Sequence, residues 1–79
     1  MKAKTVRQRV LEVILLEYPV IKNHLLHNAS EAHPFSTMQR LRELKKSGVD
    51  YTFSKADNTY NFSDTPFLLI QGLAEREAK

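Results

Sequence analysis

The strongest structural signal in this chain is a single helix near its middle, because the residues specify both of its ends. Ser36 and Gln39 form a capping box, in which the serine hydroxyl accepts from the Gln39 amide while the glutamine side chain reaches back. Three apolar residues recur at helical spacing and define one buried face: Met38, Leu41 and Leu44. Gly48 supplies the left-handed residue that commonly ends a helix. These signals predict a helix over residues 37–47.

Beyond Gly48 the hydrophobic period changes from about 3.6 residues to 2. Aromatic residues alternate with small polar ones in two short runs: Tyr51 and Phe53, then Tyr60 and Phe62. Residues 55–58 between the runs are turn formers, and Asn58 is of a type that tolerates positive φ. Two aromatic strands joined by a short polar turn predict a β-hairpin.

Two further helices are predicted before the central one. Thr5 can cap a helix that begins at Val6, with Leu16 widening its apolar face. Pro19 ends this helix because a proline disfavours the α conformation of the residue before it. A shorter second helix is predicted over about residues 20–28.

A fourth helix is predicted after the hairpin, with Thr65 as its cap and Pro66 at its first helical position. A chain of 79 residues has room for one domain. We therefore expect residues 1–79 to form a single α+β domain, with three helices followed by a β-hairpin and a C-terminal helix.

The net charge of the chain is +3, and its cations are clustered. The first nine residues contain four cations and no anion: Lys2, Lys4, Arg7 and Arg9. A second cluster, accompanied by the acid Glu43, falls in the predicted central helix: Arg40, Arg42, Lys45 and Lys46. Clustered positive charge suits a polyanion such as nucleic acid. A solvated helix face without a partner is the alternative interpretation.

The order helix, helix, helix, hairpin, helix, and residues 35–49 that lead into the hairpin, resemble the winged helix-turn-helix family. In that family a Ser/Thr pair opens the recognition helix, as Ser36 and Thr37 do here, and a glycine such as Gly48 leads into the wing. The resemblance implies a winged helix-turn-helix fold that binds duplex DNA as a small transcriptional regulator, a type of protein familiar from phages and other mobile elements. The predicted wing departs from the family pattern, because its tip carries a single cation, Lys55.

The resemblance implies that the outer face of the helix over residues 37–47 enters the major groove of DNA. Gln39 and Arg40 are then expected to contact bases, with Glu43 as a reader of cytosine. Phosphate contacts are expected from Ser36, Thr37, Lys46 and Lys55. A secondary contribution to the DNA backbone is expected from Lys2, Lys4, Arg7 and Arg42. The alternative for Gln39 is that its side chain serves only the capping box.

Two other groups of residues admit a functional interpretation. The hairpin aromatics form either a stacking platform for single-stranded nucleic acid or part of the core, and the core is the favoured interpretation. The chain contains three histidines that suggest zinc: His24, His27 and His33. Zinc sites usually have four ligands, and no cysteine is present to complete one, so we expect no metal site.

Several classes of protein are disfavoured by the sequence. It contains neither a glycine-rich phosphate loop nor paired carboxylates in a plausible cleft, so we expect a non-enzyme without cofactor or small-molecule ligand. Its apolar runs fall short of the roughly 18–20 residues of a membrane span, so we expect no membrane association. The absence of cysteine suits a reducing compartment, and we expect a cytoplasmic location.

The last predicted helix has more apolar residues than one inner face requires: Phe67, Leu68, Leu69 and Leu73. These residues either pack on the first helix or form part of a homodimer interface. A two-fold dimer would read a pseudo-palindromic DNA site. The alternative function is a protein-interaction module that keeps the winged-helix fold without binding DNA, because one fold can host both roles.

Overall fold

The computed structural model describes residues 4–31 and 33–78, and this part of the chain contains four helices and three short strands. In chain order the elements are α1 (Val6–Glu17), β1 (Val20–Lys22), α2 (Asn23–Ser30), α3 (Pro34–Lys46), β2 (Thr52–Ser54), β3 (Thr59–Asn61) and α4 (Phe67–Ala78). The predicted α+β class is confirmed. None of the helices in this part of the chain is both long and apolar enough to cross a lipid bilayer.

The three strands form one antiparallel sheet in the order β1-β3-β2. Ile21 of β1 and Phe53 of β2 both lie opposite Tyr60 of β3, so these three side chains share one face of the sheet. The predicted β-hairpin is confirmed. The prediction of helix over residues 20–22 is wrong, because these residues form β1. They pair with β3, which lies about half the chain length away, and three residues are too few to show a local strand pattern.

The core lies between α1, the other three helices and the inner face of the sheet. Helix α1 contacts each of the other helices, and its buried residues are Val10, Leu11, Val13 and Ile14. The largest buried side chains contributed by the rest of the described chain are Ile21, Leu26, Leu41, Leu44, Phe62 and Ile70. Leu16 was expected to widen the apolar face of α1, but it is 82% exposed and lies outside the core.

Three predicted backbone features are confirmed by hydrogen bonds or dihedral angles. The Thr5 hydroxyl accepts from the Gln8 amide at 3.0 Å and caps α1. Gly48 has φ of 102° and ends α3, and the amide of Val49 donates to the Leu44 carbonyl at 3.0 Å, as in a Schellman motif. Asn58, in the hairpin turn, has φ of 54°.

Helix α3 begins three residues earlier than predicted. Nδ1 of His33 accepts from the Phe35 amide at 3.1 Å, so His33 is the N-cap and Pro34 is the first helical residue. The predicted capping box is therefore wrong, because Ser36 already lies inside the first turn. A proline is favoured at the first position of a helix, and the His-Pro pair was the signal for this start. The earlier start adds Phe35 to the surface of α3.

Thr65 has a different role from the predicted cap of α4. Its hydroxyl accepts from the Asp50 amide and donates to the Asp50 carbonyl, both at 2.7 Å. Helix α4 begins at Phe67, and Pro66 precedes it. The buried Thr65 side chain therefore joins the segment that follows α3 to the segment that precedes α4.

Candidate nucleic-acid interface

A row of side chains runs along the outer side of α3, away from the core residues Leu41 and Leu44. These side chains are spaced by four, three and four residues, which places them on one helical face and beside one shallow groove: Phe35, Gln39, Arg42 and Lys46. All four are exposed. We call these four residues the α3 stripe. Glu43 also borders the groove and is half-buried.

Three exposed cations lie on or beside the stripe: Arg42, Lys45 and Lys46. Among residues 4–31 and 33–78, no carboxylate lies within 4.0 Å of any of their side-chain nitrogens. Nζ of Lys45 lies 4.9 Å from the centre of the Tyr51 ring. Burial raises the pKa of Tyr51, and the positive charge of Arg42 opposes this rise. This end of α3 therefore presents positive charge that acidic neighbours do not compensate.

Arg40 lies on a different side of α3 and has an acidic partner. Its Nη2 atom is 3.1 Å from Oε2 of Glu43, and Nη1 of Arg7 is 3.8 Å from Oε1 of the same carboxylate. Nε of Arg7 is in turn 3.9 Å from Oε2 of Glu77. The four side chains form a network of alternating charge that links α3 to α1 and α4. Arg40 was expected to contact bases, but in the structure its charge is compensated by Glu43.

The cluster of cations at the amino terminus, some of which were expected to contact the DNA backbone, is held against the rest of the protein where the structure describes it. Nζ of Lys4 lies 2.6 Å from Glu12, and Nε of Arg9 donates to the Ser30 carbonyl at 2.7 Å. Arg7 is half-buried in the charge network. Lys2 lies outside the described residues. Lys4, Arg7 and Arg9 hold α1 in place, and Lys4 is the most exposed of these three cations.

Ser36 and Thr37 were expected to open the recognition helix, but both lie inside the first turn of α3. Thr37 is fully buried, and its Oγ1 lies 2.9 Å from the hydroxyl of Ser30. It therefore joins α3 to α2 and is not available to a phosphate group, which corrects the prediction. Ser36 is half-buried at the edge of the exposed face.

The hairpin turn is held close to α2. The Asn58 carbonyl accepts from the Asn23 amide at 2.9 Å, at the point where α2 begins. Lys55 is exposed in this turn, as expected for a residue at the tip of the hairpin. Tyr60 and Phe62 are buried in the core and Tyr51 packs against it, so these three do not form an exposed stacking platform. Phe53 is 41% exposed, so the core interpretation is wrong for this residue.

The three histidines have separate environments. His33 caps α3, His24 is exposed, and His27 is half-buried with its Nδ1 atom inaccessible and without a hydrogen-bond partner. Burial lowers the pKa of His27. Within residues 4–31 and 33–78, no group of three or more histidine or acidic side chains is arranged to hold a metal ion.

The apolar residues expected at a dimer interface divide between two surfaces. One shallow groove on the outer side of α4 is lined by Leu68, Leu69, Gly72, Leu73 and Arg76. Phe67 lies elsewhere, with Leu15 and Leu16, and its ring packs edge-on against Tyr18 at a centroid distance of 5.5 Å. Leu68 is 75% exposed and is the most exposed side chain of the predicted set. We call the first surface the α4 groove.

No protein-family model, curated protein or solved structure matches this chain. The α3 stripe, with its uncompensated cations, is the surface whose chemistry points most directly to a partner.

Proposed function

We propose that this chain is a winged-helix domain that binds duplex DNA with α3 in the major groove and acts as a small transcriptional regulator. The element order α1-β1-α2-α3-β2-β3 and the strand order β1-β3-β2 are compatible with a winged-helix layout. In this proposal α2 and α3 are the helix-turn-helix pair, and the hairpin of β2 and β3 is the wing.

The observation that carries the proposal is the α3 stripe beside uncompensated positive charge. An α-helix fits the major groove, where Gln39 can pair with adenine and Arg42 with guanine. Lys45 and Lys46, in the last turn of α3, suit the phosphates at the groove edge. Helix α3 has 13 residues, so the stripe extends over three helical turns.

The wing contributes less than α3 to the proposed interface. Its strands have three residues each, and its turn is hydrogen-bonded to the start of α2. Lys55 is the cation it offers to the DNA backbone. The affinity of the domain should therefore depend mainly on α3.

Binding to random-sequence duplex DNA at about 50 and 200 mM salt tests the proposal, because neutralising phosphates makes affinity fall steeply with added salt. Selection of preferred duplexes follows. We expect salt-sensitive binding and an enriched motif. Binding without an enriched motif would indicate a nonspecific architectural protein. The absence of binding at the lower salt concentration would contradict the proposal.

The contribution of individual arginines gives a sharper test. We expect Arg42→Ala to weaken binding to the selected duplex by about 1–3 kcal/mol, as for an arginine that pairs with guanine. Arg40→Ala is the matched control, because it removes the same side chain from the same helix at a position paired with Glu43. We expect a smaller effect from this control. Equal losses, or a larger loss for Arg40→Ala, would show that α3 meets DNA through its other side.

We also propose that two copies associate through the α4 groove. A two-fold axis near Gly72 would place Leu68 and Leu69 of one copy against Leu73 and the aliphatic stem of Arg76 in the second. A dimer of this kind would present two α3 helices to a pseudo-palindromic site.

A protein-interaction module is the second candidate function. The observation that favours it is Phe35, a large apolar side chain that is 68% exposed at the amino-terminal end of the otherwise polar α3 stripe. Failure to bind any duplex at low salt would favour this candidate over the DNA-binding domain.

A further inference from the structure

Phe35 is an unusual residue to leave exposed on a surface that is otherwise polar. It is the second residue of α3, and 68% of it is accessible to solvent. Its position is fixed, because Pro34 precedes it and its own amide donates to Nδ1 of His33 at 3.1 Å. The phenyl ring therefore projects from the capped first turn of α3.

The ring shares one helical face with residues suited to base edges. Gln39 is four positions further along α3 and Arg42 seven, so the three side chains follow one another along the stripe. In a recognition helix the amino-terminal residues usually lie nearest the bases. Phe35 is thus the stripe residue nearest the amino-terminal end of α3, which is the end expected to lie deepest in the major groove of DNA.

The major groove offers an apolar group that fits this ring. Each base edge presents hydrogen-bond donors and acceptors, and thymine adds its C5-methyl group. If the proposed DNA-binding function holds, on which this inference depends, we propose that Phe35 recognises thymine by packing its ring on that methyl group. Gln39 then lies next to it, and a preference for A·T pairs at this end of the site follows from both side chains.

The test removes the methyl group without changing base pairing. In the duplex obtained by selection, each thymine is replaced in turn by deoxyuridine, and the dissociation constant is measured for the 79-residue chain. Burying one methyl group contributes about a fourfold difference in affinity. We expect a loss of about this size at one or two adjacent positions and no change at the others.

Three variants assign the effect to Phe35. Phe35→Ala should bind the thymine and deoxyuridine duplexes equally at the sensitive positions, whereas Phe35→Leu should keep part of the difference. Leu16→Ala, which removes an exposed apolar side chain from α1, should keep all of it. Thermal melting checks that each variant is folded, as expected because both side chains lie largely outside the core.

The outcomes separate this inference from the function on which it depends. Equal binding of thymine and deoxyuridine duplexes by the wild type would overturn the role of Phe35 while leaving DNA binding intact. A selected motif without an invariant thymine would do the same, as would discrimination that persists in Phe35→Ala. Absence of binding to every duplex at about 50 mM salt would overturn both proposals together.

Discussion

Two arginines on α3 show that the position of a residue around the helix determines whether its charge is paired within the protein. Arg40 and Arg42 are two residues apart, which turns them about 200° from one another around the helix axis. Arg40 therefore meets the carboxylate of Glu43 beside α1, whereas Arg42 lies on the outer stripe near Tyr51. Partly exposed ion pairs of this kind contribute little to stability, about 0–1 kcal/mol. The consequence for the proposed interface is larger, because the pairing removes Arg40 from the uncompensated positive charge on the surface of α3.

Thr65 is the residue at which a hydroxyl contributes most clearly to the fold. It is 1% exposed and makes two 2.7 Å hydrogen bonds to the backbone of Asp50. We expect Thr65→Val to lower the free energy of unfolding by about 1–3 kcal/mol, because the Asp50 amide and carbonyl lose their partner. Urea denaturation measures the change. Thr65→Ser retains the hydroxyl and should recover most of the loss; a Val variant as stable as the wild type would exclude this role.

At the level of elements, the two ends of α3 are set by residues with particular backbone conformations, in addition to its apolar face. Pro34 begins the helix after the His33 cap, and Gly48 ends it in a left-handed conformation. The end at Gly48 also sets where the chain leaves toward β2. The same segment carries the stripe, so the ends of α3 determine which side chains share its outer face.

The two glycines of the chain should respond in opposite directions to the same substitution. Gly48 has φ of 102°, and we expect Gly48→Ala to cost more than about 1 kcal/mol of unfolding free energy, with Gly48→Val at least as costly. Gly72 lies inside α4, and a Cβ there would meet nothing within 4 Å. Gly72→Ala should therefore stabilise the monomer by about 0.5–1 kcal/mol. Chemical denaturation at low protein concentration measures both; an unchanged midpoint for Gly48→Ala would contradict the assigned helix end.

In the whole molecule, the two proposed interfaces use different helices. Helix α1 occupies the centre and packs against α2, α3 and α4. The α3 stripe and the α4 groove have no residue in common. The charge network connects α1, α3 and α4 through Arg40, Glu43, Arg7 and Glu77. One copy could therefore engage DNA through α3 while α4 contacts a second copy.

Self-association is the prediction that belongs to this scale. We expect sedimentation velocity to show a dimer that forms as protein concentration rises, and Leu68→Gln to weaken it, because Leu68 loses an apolar contact in the α4 groove. Leu16→Gln is the control, since the Leu16 side chain is about as exposed as that of Leu68 but lies on α1, outside the α4 groove. Both variants should melt as the wild type does. A wild type that remains monomeric, or a dimer insensitive to Leu68→Gln, would refute the assigned interface.

The features that could be predicted from the sequence are those whose causes are local in the chain. The Thr5 cap, the left-handed residues Gly48 and Asn58, and the aromatic hairpin all arise from neighbouring residues. Helix α3 was predicted together with its buried leucines, Leu41 and Leu44, because their period is visible in a short window. Its start was misplaced because two local patterns competed, and the proline at the first helical position prevailed over the apparent capping box.

The remaining features depended on residues distant in the chain. Strand β1 exists because β3 pairs with it, and Thr37 is buried because Ser30 of α2 meets its hydroxyl. The outer side of α3 followed approximately from helical periodicity. The packing of α1 and α4 against α3 decided which cations of α3 have an acidic neighbour. Arg7 of α1 and Glu77 of α4 complete the charge network around Glu43. The sequence by itself determined where positive charge is concentrated; only the tertiary structure decided which of those charges face outward uncompensated, because ion pairs form between side chains that packing brings together.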